Sequence, residues 1–353
     1  MAKTQPYKGR GATLSPDNRY SDERREVFDD GWFQDEPVEK ISTELLVDRA
    51  SKIITYNQSP DVPFDRSINP YRGCEHGCVY CFARPTHAWL DLSPGLDFET
   101  KLFYKPDAPA LLARELASKK YRCAPIALGI NTDAYQPVER DLRLTRRILQ
   151  ILVEHRHPVS IVTKSALIER DIDLLAEAAS QRLVQVAISV TTLERDLSRR
   201  MEPRAAAPQR RLQTIRRLTD AGIPVSVLIA PLIPILNDAE LETLLATVRE
   251  AGALDAGYVV LRLPHELDEM FINWLHRHEP LKAGHIMSRI RDLRGGKNYD
   301  ASFGRRMSGS GIYAELIGRR FKLAYRKLGF PASPPLRCDL FIPPSLGGQM
   351  MLF

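Results

Sequence analysis

From residue 125 to 276 one unit recurs: a short apolar run, then a longer stretch whose apolar residues return every three to four positions. The runs fall at 125–130, 159–163, 183–190, 224–230 and 258–263. Runs of this length with almost no polar interruption predict strands buried on both faces. The stretches between them predict helices that cover a sheet with one side only. In the segment 139–154 that side carries Leu142, Ile148, Leu149 and Leu152, and Ile172, Leu175, Ala176 and Ala179 keep the i, i+3, i+4, i+7 spacing. Helices at 208–221 and from Leu241 are closed by Gly222 and Gly252, and a last one spans 266–276. A further strand at 67–71 precedes the series and makes six β/α units. Strands joined by helical crossovers run parallel, so the fold class is α/β with helices outside a parallel sheet. Six units are too few to close an ordinary eight-stranded barrel.

The first of these strands leads into N-P-Y-R-G-C-E-H-G-C-V-Y-C-F-A-R, residues 69–84. Cys74, Cys78 and Cys81 have three and then two residues between them, and Gly73 and Gly77 let the backbone curl so that three sulfurs face one centre. Three thiolates are one fewer than the four that saturate a cubane iron–sulfur cluster, so one iron would stay open for chemistry. Two other readings fit the spacing. One is a zinc site with His76 or His87 as fourth ligand, in a binding module without catalysis; the other is the thiol-lined face of a helix, which the paired glycines disfavour.

C-x-x-x-C-x-x-C with Tyr80 before the last cysteine resembles the signature of the radical S-adenosylmethionine (SAM) superfamily, and the chain is most similar to its spore photoproduct lyase-like, or DNA repair photolyase-like, group. The resemblance spans about residues 67–280. It implies an open, partial (β/α)6 TIM barrel whose gap admits substrate. It implies a [4Fe–4S] cluster held by Cys74, Cys78 and Cys81, with the fourth iron chelating SAM. Reductive cleavage of SAM would then give a 5'-deoxyadenosyl radical for hydrogen abstraction, with a reducing donor of the flavodoxin or ferredoxin kind as partner.

In a β/α barrel the chemistry gathers at the C-terminal ends of the strands. Three of these ends are polar here: Asn131, Thr132, Asp133 and Tyr135; Thr163, Lys164 and Ser165; Ser189, Thr191 and Thr192. Any one Ser, Thr or Asp among them is equally a helix cap. Lys164 at a buried strand end calls for a carboxylate partner. The resemblance implies more: V-T-K at 162–164 is similar to a strand end of spore photoproduct lyases whose lysine contacts the SAM carboxylate. Ser189 and Thr191 match the fourth-strand polar position that contacts SAM. Asn131, Thr132 and Asp133 stand where the superfamily has a Gly-Gly-Glu-type motif for the SAM amino group, and depart from it. Ala230 and the residues after it, with the backbone of Tyr80, would line the adenine. The cysteine that returns a hydrogen atom in spore photoproduct lyases is replaced by Ile130, so the substrate is not read from the group. Tyr135 is a candidate radical relay or substrate contact, and Cys338 a candidate hydrogen donor or metal ligand if the tail covers the barrel. Arg204, in Glu202-Pro203-Arg204, is a candidate oxyanion contact or a surface arginine. Cys123, just before a strand, reads as a small buried residue.

The ends of the chain differ from its middle. Residues 1–50 are polar and without steady period, which predicts a partly mobile arm in which Phe28, Trp32 and Phe33 could dock. Apolar residues near 45–47 and 53–56 predict strands or an edge hairpin. Residues 51–280 form the barrel. Residues 281–353 form a cap with helices at 283–293 and 312–328, followed by an extended tail. The net charge of +6 is concentrated there: residues 281–330 hold twelve Lys/Arg against three acids, a local +9. Arg305, Arg306, Arg319, Arg320 and Lys322 are the candidate phosphate track of a nucleic-acid-directed enzyme. The longest apolar stretch, 223–236, is broken by Pro224, Pro231 and Pro234 and cannot span a bilayer. With no apolar N-terminal run and five cysteines, three of them clustered, the expected location is the reducing cytoplasm.

Overall fold

The computed structural model describes residues 9–20, 41–331 and 333–345. Its strands are β1 (Glu44–Val47), β2 (Ile54–Tyr56), β3 (Arg66–Ile68), β4 (Tyr71–Arg72), β5 (Lys101–Tyr104), β6 (Ile126–Leu128), β7 (Val159–Thr163), β8 (Val184–Ser189), β9 (Val225–Leu232) and β10 (Asp255–Val260). The main sheet has the order β10-β9-β8-β7-β6-β3-β2. All its neighbours are parallel except β2, which joins the edge antiparallel to β3. This is the partial TIM barrel of six parallel strands that the alternation and the resemblance led to.

The reason these strands lie side by side is visible along them. Ile161, Val186, Ile188, Val227 and Ile229 are at most 1% exposed and share a core with Leu149, Leu175, Ile215 and Leu244 of the helices. Their neighbours Val162, Ala187 and Leu228 stay partly exposed, on the inner side of a barrel that six strands do not fill. Burying one such aliphatic side chain contributes roughly 1.5–3 kcal/mol, so the alternation alone fixes which face each strand presents.

The helix expected over 139–154 is two: Glu139–Leu142 and Leu144–Glu154, parted at Arg143, whose φ is 51°. The Glu139 carboxylate causes the break. It accepts from the amides of Thr145 (3.0 Å) and Arg146 (3.4 Å), the first turn of the second helix, and from Tyr71 Oη. Periodicity continues across such a break and does not reveal it.

Of the strands or edge hairpin expected near 45–47 and 53–56, the strands form and the hairpin does not. β1 lies parallel to β5 in a separate sheet of order β1-β5-β4, while β2 pairs with β3. The partner, β5, is too short at four residues to have announced itself. Residues 9–20 also differ from the expected mobile arm: Arg10, Ala12, Thr13 and Asn18 are buried. Glu99 accepts from the amides of Gly11 (2.9 Å) and Ala12 (2.8 Å), and Arg10 donates to Glu99 O (2.8 Å). Backbone bonds, which need no apolar side chains, hold this polar segment down. Phe28, Trp32 and Phe33 lie outside the described residues.

After the barrel come helices Ala283–Asp292 and Ile312–Lys327. The tail then runs beneath the sheet: Gln185 Nε2 donates to Pro334 O (2.9 Å), Arg337 N to Arg182 O (3.0 Å) and Ile342 N to His155 O (3.0 Å). Arg182 and His155 precede β8 and β7, so this is the N-terminal end of the strands.

Candidate active site at the C-terminal strand ends

β4 delivers the cysteine loop. Gly73 and Gly77 have φ of 77° and 68°, left-handed values open to glycine, and they reverse the chain on either side of Cys74. The loop is anchored by Cys74 N to Phe98 O (2.9 Å) and Glu75 N to Gln136 Oε1 (2.9 Å). Arg84, fully buried, ties it further by donating to Cys78 O (2.9 Å) and pairing with Glu99. Cys74 and Cys78 are buried and Cys81 is partly so.

Burial pushes all three thiols up, Cys78 to about 12, and Cys74 is raised further by charge on Asp133 and on the other two cysteines. Three thiolates brought together out of water are unfavourable unless a cation stands among them, so the loop fits a metal group. Among the described residues no three His, Cys, Asp or Glu side chains converge as ligands of a single ion. A cubane instead spreads its thiolates over separate irons. Of the two zinc-ligand candidates, His76 holds Nδ1 3.3 Å from Asp133 Oδ2, and His87 holds Nε2 3.1 Å from Lys101 O with its ring edge-on to Phe98 and its Nδ1 without a partner among the described residues.

Beside the loop, side chains from two strand ends, the cysteine loop and helix Pro208–Asp220 converge on one buried carboxylate. Glu202 Oε1 accepts from Thr191 Oγ1 (2.8 Å) and from Tyr80 Oη, and lies 3.9 Å from Lys164 Nζ. Glu202 Oε2 pairs with Arg211, which also donates to Ser189 O (2.9 Å). Ala230 O receives Thr191 Oγ1 (3.3 Å) and Lys164 Nζ (3.5 Å), and Lys164 stands over the Tyr80 ring, 5.7 Å from its centroid. Burial alone would raise the Glu202 carboxyl, but Arg211 and Lys164 outweigh it and hold it at about 2. Tyr80, Lys164, Ser189, Thr191 and Ala230 are thus one constellation, and the carboxylate that Lys164 required is Glu202.

Asn131, Thr132 and Asp133 form a second group. Asn69 Oδ1 accepts from the amides of Asn131 (2.8 Å) and Thr132 (3.4 Å), and Thr132 Oγ1 donates to Tyr71 O (2.9 Å). Asp133 accepts from Thr163 Oγ1 (2.7 Å), Lys164 N (2.8 Å) and Tyr135 N (2.9 Å) as well as facing His76. Burial would raise this carboxyl too; His76 and those donors bring it to about 2. Asp133 therefore braces the β6 and β7 ends against the cysteine loop. Ser165 caps the following helix, accepting from Leu167 N (3.2 Å).

Two candidates are corrected. Tyr135 is fully buried and donates to Asp171 Oδ2 (3.1 Å) inside the core, so it meets no substrate. Cys338 lies beside Cys123 under the barrel, at the end opposite the cluster loop, and cannot donate there. Cys123 is itself only partly buried. Arg204 pairs with Glu75 (3.1 Å) behind the loop. In the basic region Arg306 pairs with Asp61, Arg320 with Glu242 (2.6 Å) and Arg319 with Glu315 (3.8 Å), so three of the five track residues already have a carboxylate partner. Sequence reading gave no role to Arg211 or Asn69 and met Glu202 only as a neighbour of Arg204. The demand of Lys164 for a carboxylate was the signal for Glu202; nothing local marked Arg211 or Asn69.

An incomplete parallel barrel with a three-cysteine loop and a polar constellation at the same end defines an enzyme of the barrel class. The Radical SAM superfamily signature matches residues 68–248, just over half of the chain. The chain is 40% identical over 234 residues to an uncharacterized protein of Mycobacterium tuberculosis, covering 66% of this chain and 68% of that one. It is 30% identical over 197 residues to an uncharacterized protein of Methanocaldococcus jannaschii, covering 56% and 71%. Among solved structures, spore photoproduct lyase complexed with dinucleoside spore photoproduct superposes with a TM-score of 0.56 at 14% identity, covering 81% of this chain and 79% of that one. A mutant of that lyase with bound AdoMet and dinucleoside spore photoproduct gives 0.53 at 15%, with the same coverage. At such identity the likeness is one of fold. The chain belongs to the radical SAM superfamily and is a radical SAM enzyme, which sets aside the non-catalytic zinc module. Among the described residues no helix is long and apolar enough to cross a membrane.

Proposed function

We propose that Cys74, Cys78 and Cys81 hold a [4Fe–4S] cluster and that Tyr80, Lys164, Ser189, Thr191 and Ala230 hold SAM beside it, for hydrogen abstraction from a substrate at the barrel mouth. Held by Cys74, Cys78 and Cys81, such a cluster would supply the electron for reductive cleavage of SAM, the chemistry that hydrogen abstraction requires. The protein's part is placement. Lys164 offers an ammonium to the SAM carboxylate, and Glu202 keeps that ammonium oriented when the cofactor is away. Thr191 and Ala230 fix the wall between β8 and β9, and Asp133 keeps the β6 and β7 ends in register with the cysteine loop. A low-potential flavodoxin- or ferredoxin-like protein would deliver the electron.

The observation that carries this reading is geometric: Tyr80, inside the cysteine loop, donates to Glu202, the same carboxylate that accepts from Thr191 Oγ1 (2.8 Å) and faces Lys164 Nζ (3.9 Å). Anaerobic reconstitution tests it. A brown protein with about four irons per chain that releases 5'-deoxyadenosine from SAM with dithionite is expected; a colourless protein that leaves SAM intact would end the proposal.

A further inference from the structure

Four buried polar side-chain atoms lack a hydrogen-bond partner among the described residues, and three belong to one corner of the barrel: Arg262 Nε, Asp268 Oδ1 and Arg294 Nε. Arg262 lies just past β10, Asp268 in the first turn of helix Leu267–His278, and Arg294 just past helix Ala283–Asp292. Arg294 is 2% exposed and donates to carbonyls only: Leu261 O (2.6 Å), Arg305 O (2.8 Å) and Val260 O (3.4 Å). Arg262 lies over the Phe82 ring, 5.0 Å from its centroid, with Met307 Sδ 3.8 Å away. Phe82 follows Cys81 directly.

The buried arginines Arg84 and Arg211 each have a carboxylate. Among the described residues Arg262 and Arg294 pair with none, although they sit close enough that burial and Arg262 together pull Arg294 below its usual value. Asp61, whose charge Arg262 feels, is taken by Arg306 and Gly304 N, and Asp268 is engaged through Oδ2 with Asn298 (2.8 Å). Two guanidiniums with no paired carboxylate, one of them over the Phe82 ring, are costly in the free protein and complementary to an anion.

The geometry points to Arg262, backed by Arg294, as the anchor for an oxyanion of the substrate, a phosphate or a carboxylate, at the side of the mouth where Phe82 follows the cluster loop. This deepens the reading above and rests on it for the word substrate. Inorganic phosphate and acetate are titrated into the full chain by calorimetry at low salt, without cluster or SAM. At least one of them is expected to bind saturably, about tenfold more weakly in Arg262→Gln, with Arg262→Lys between and Arg216→Gln, exposed on helix Pro208–Asp220, like wild type. Stronger phosphate binding assigns a phosphorylated substrate and stronger acetate binding a carboxylate. Binding of neither, or equal binding by Arg262→Gln, overturns the proposal. So does competition by SAM in the cluster-loaded chain, which would give Arg262 to the cofactor. The titration needs no radical chemistry: a chain that binds oxyanions through Arg262 yet never cleaves SAM refutes the enzymatic reading alone.

Discussion

Lys164 Nζ stands 3.9 Å from Glu202 Oε1, a contact that joins the end of β7 to the segment after β8 beneath the same strand ends. Glu202 is 2% exposed and carries two cations, Lys164 and Arg211. Removing its charge leaves the buried Arg211 without compensation and the partly exposed Lys164 without its partner. Glu202→Gln is expected to lower stability by about 3–5 kcal/mol, read by urea unfolding. Unfolding at the wild-type midpoint would show that Arg211 is balanced elsewhere.

Lys164→Ala should leave the fold closer to wild type, because that side chain is partly exposed and Glu202 retains Arg211. Its effect belongs to the cofactor: about a tenfold loss of SAM affinity in the cluster-loaded protein, with iron content unchanged. An unchanged affinity would leave Lys164 a purely structural partner of Glu202.

His157 predicts a pH dependence away from the active site. It is 1% exposed, with Nε2 2.7 Å from Tyr121 Oη and Nδ1 2.9 Å from Pro158 O, and burial lowers it to about 4. Below pH 6.5 the unfolded chain takes a proton that the folded chain refuses, so stability falls as the pH drops from 6.5 towards 4. At pH 5 this amounts to about 2 kcal/mol relative to neutral pH. The fall in unfolding free energy between pH 7 and 5 should be smaller by that amount in His157→Gln; parallel curves would exclude His157 as the cause.

How much of this was legible follows from what each feature depends on. Strand positions such as Val159–Thr163 came from periodicity, because burial of one face is written directly into the order of residues. The cysteine loop came from spacing and from a family likeness. What stayed hidden depends on pairing across distance. Tyr135 looks like a mouth residue in sequence and becomes a core residue only because Asp171 meets it from 36 positions away. Cys338 seemed free to fold over the mouth until Arg182 and His155 fixed the tail beneath the sheet. The polar segment around Arg10 looked unstructured because what holds it, the Glu99 carboxylate and main-chain groups, has no hydrophobic signature.

That last contact gives the most local prediction. Gly11 packs so closely on the cysteine loop that a β-carbon there would lie 1.7 Å from Gly77 O and 2.9 Å from Gly77 C. Both contacts are backbone and cannot rotate away, and Gly77 holds the left-handed turn between Cys74 and Cys78. Either the N-terminal segment lifts off, freeing both Glu99 oxygens from the Gly11 and Ala12 amides, or the turn shifts and moves the sulfurs. Gly11→Ala is therefore expected to cost about 1–3 kcal/mol and to lower iron retained after reconstitution, read by iron analysis and the visible absorbance of the cluster. Gly222→Ala is the control, since its β-carbon would meet nothing within 4 Å while its φ of 76° lowers stability through backbone strain away from the loop. It should lose stability but keep its iron. Equal iron in both variants would mean that the N-terminal segment merely covers the loop and has no part in shaping it.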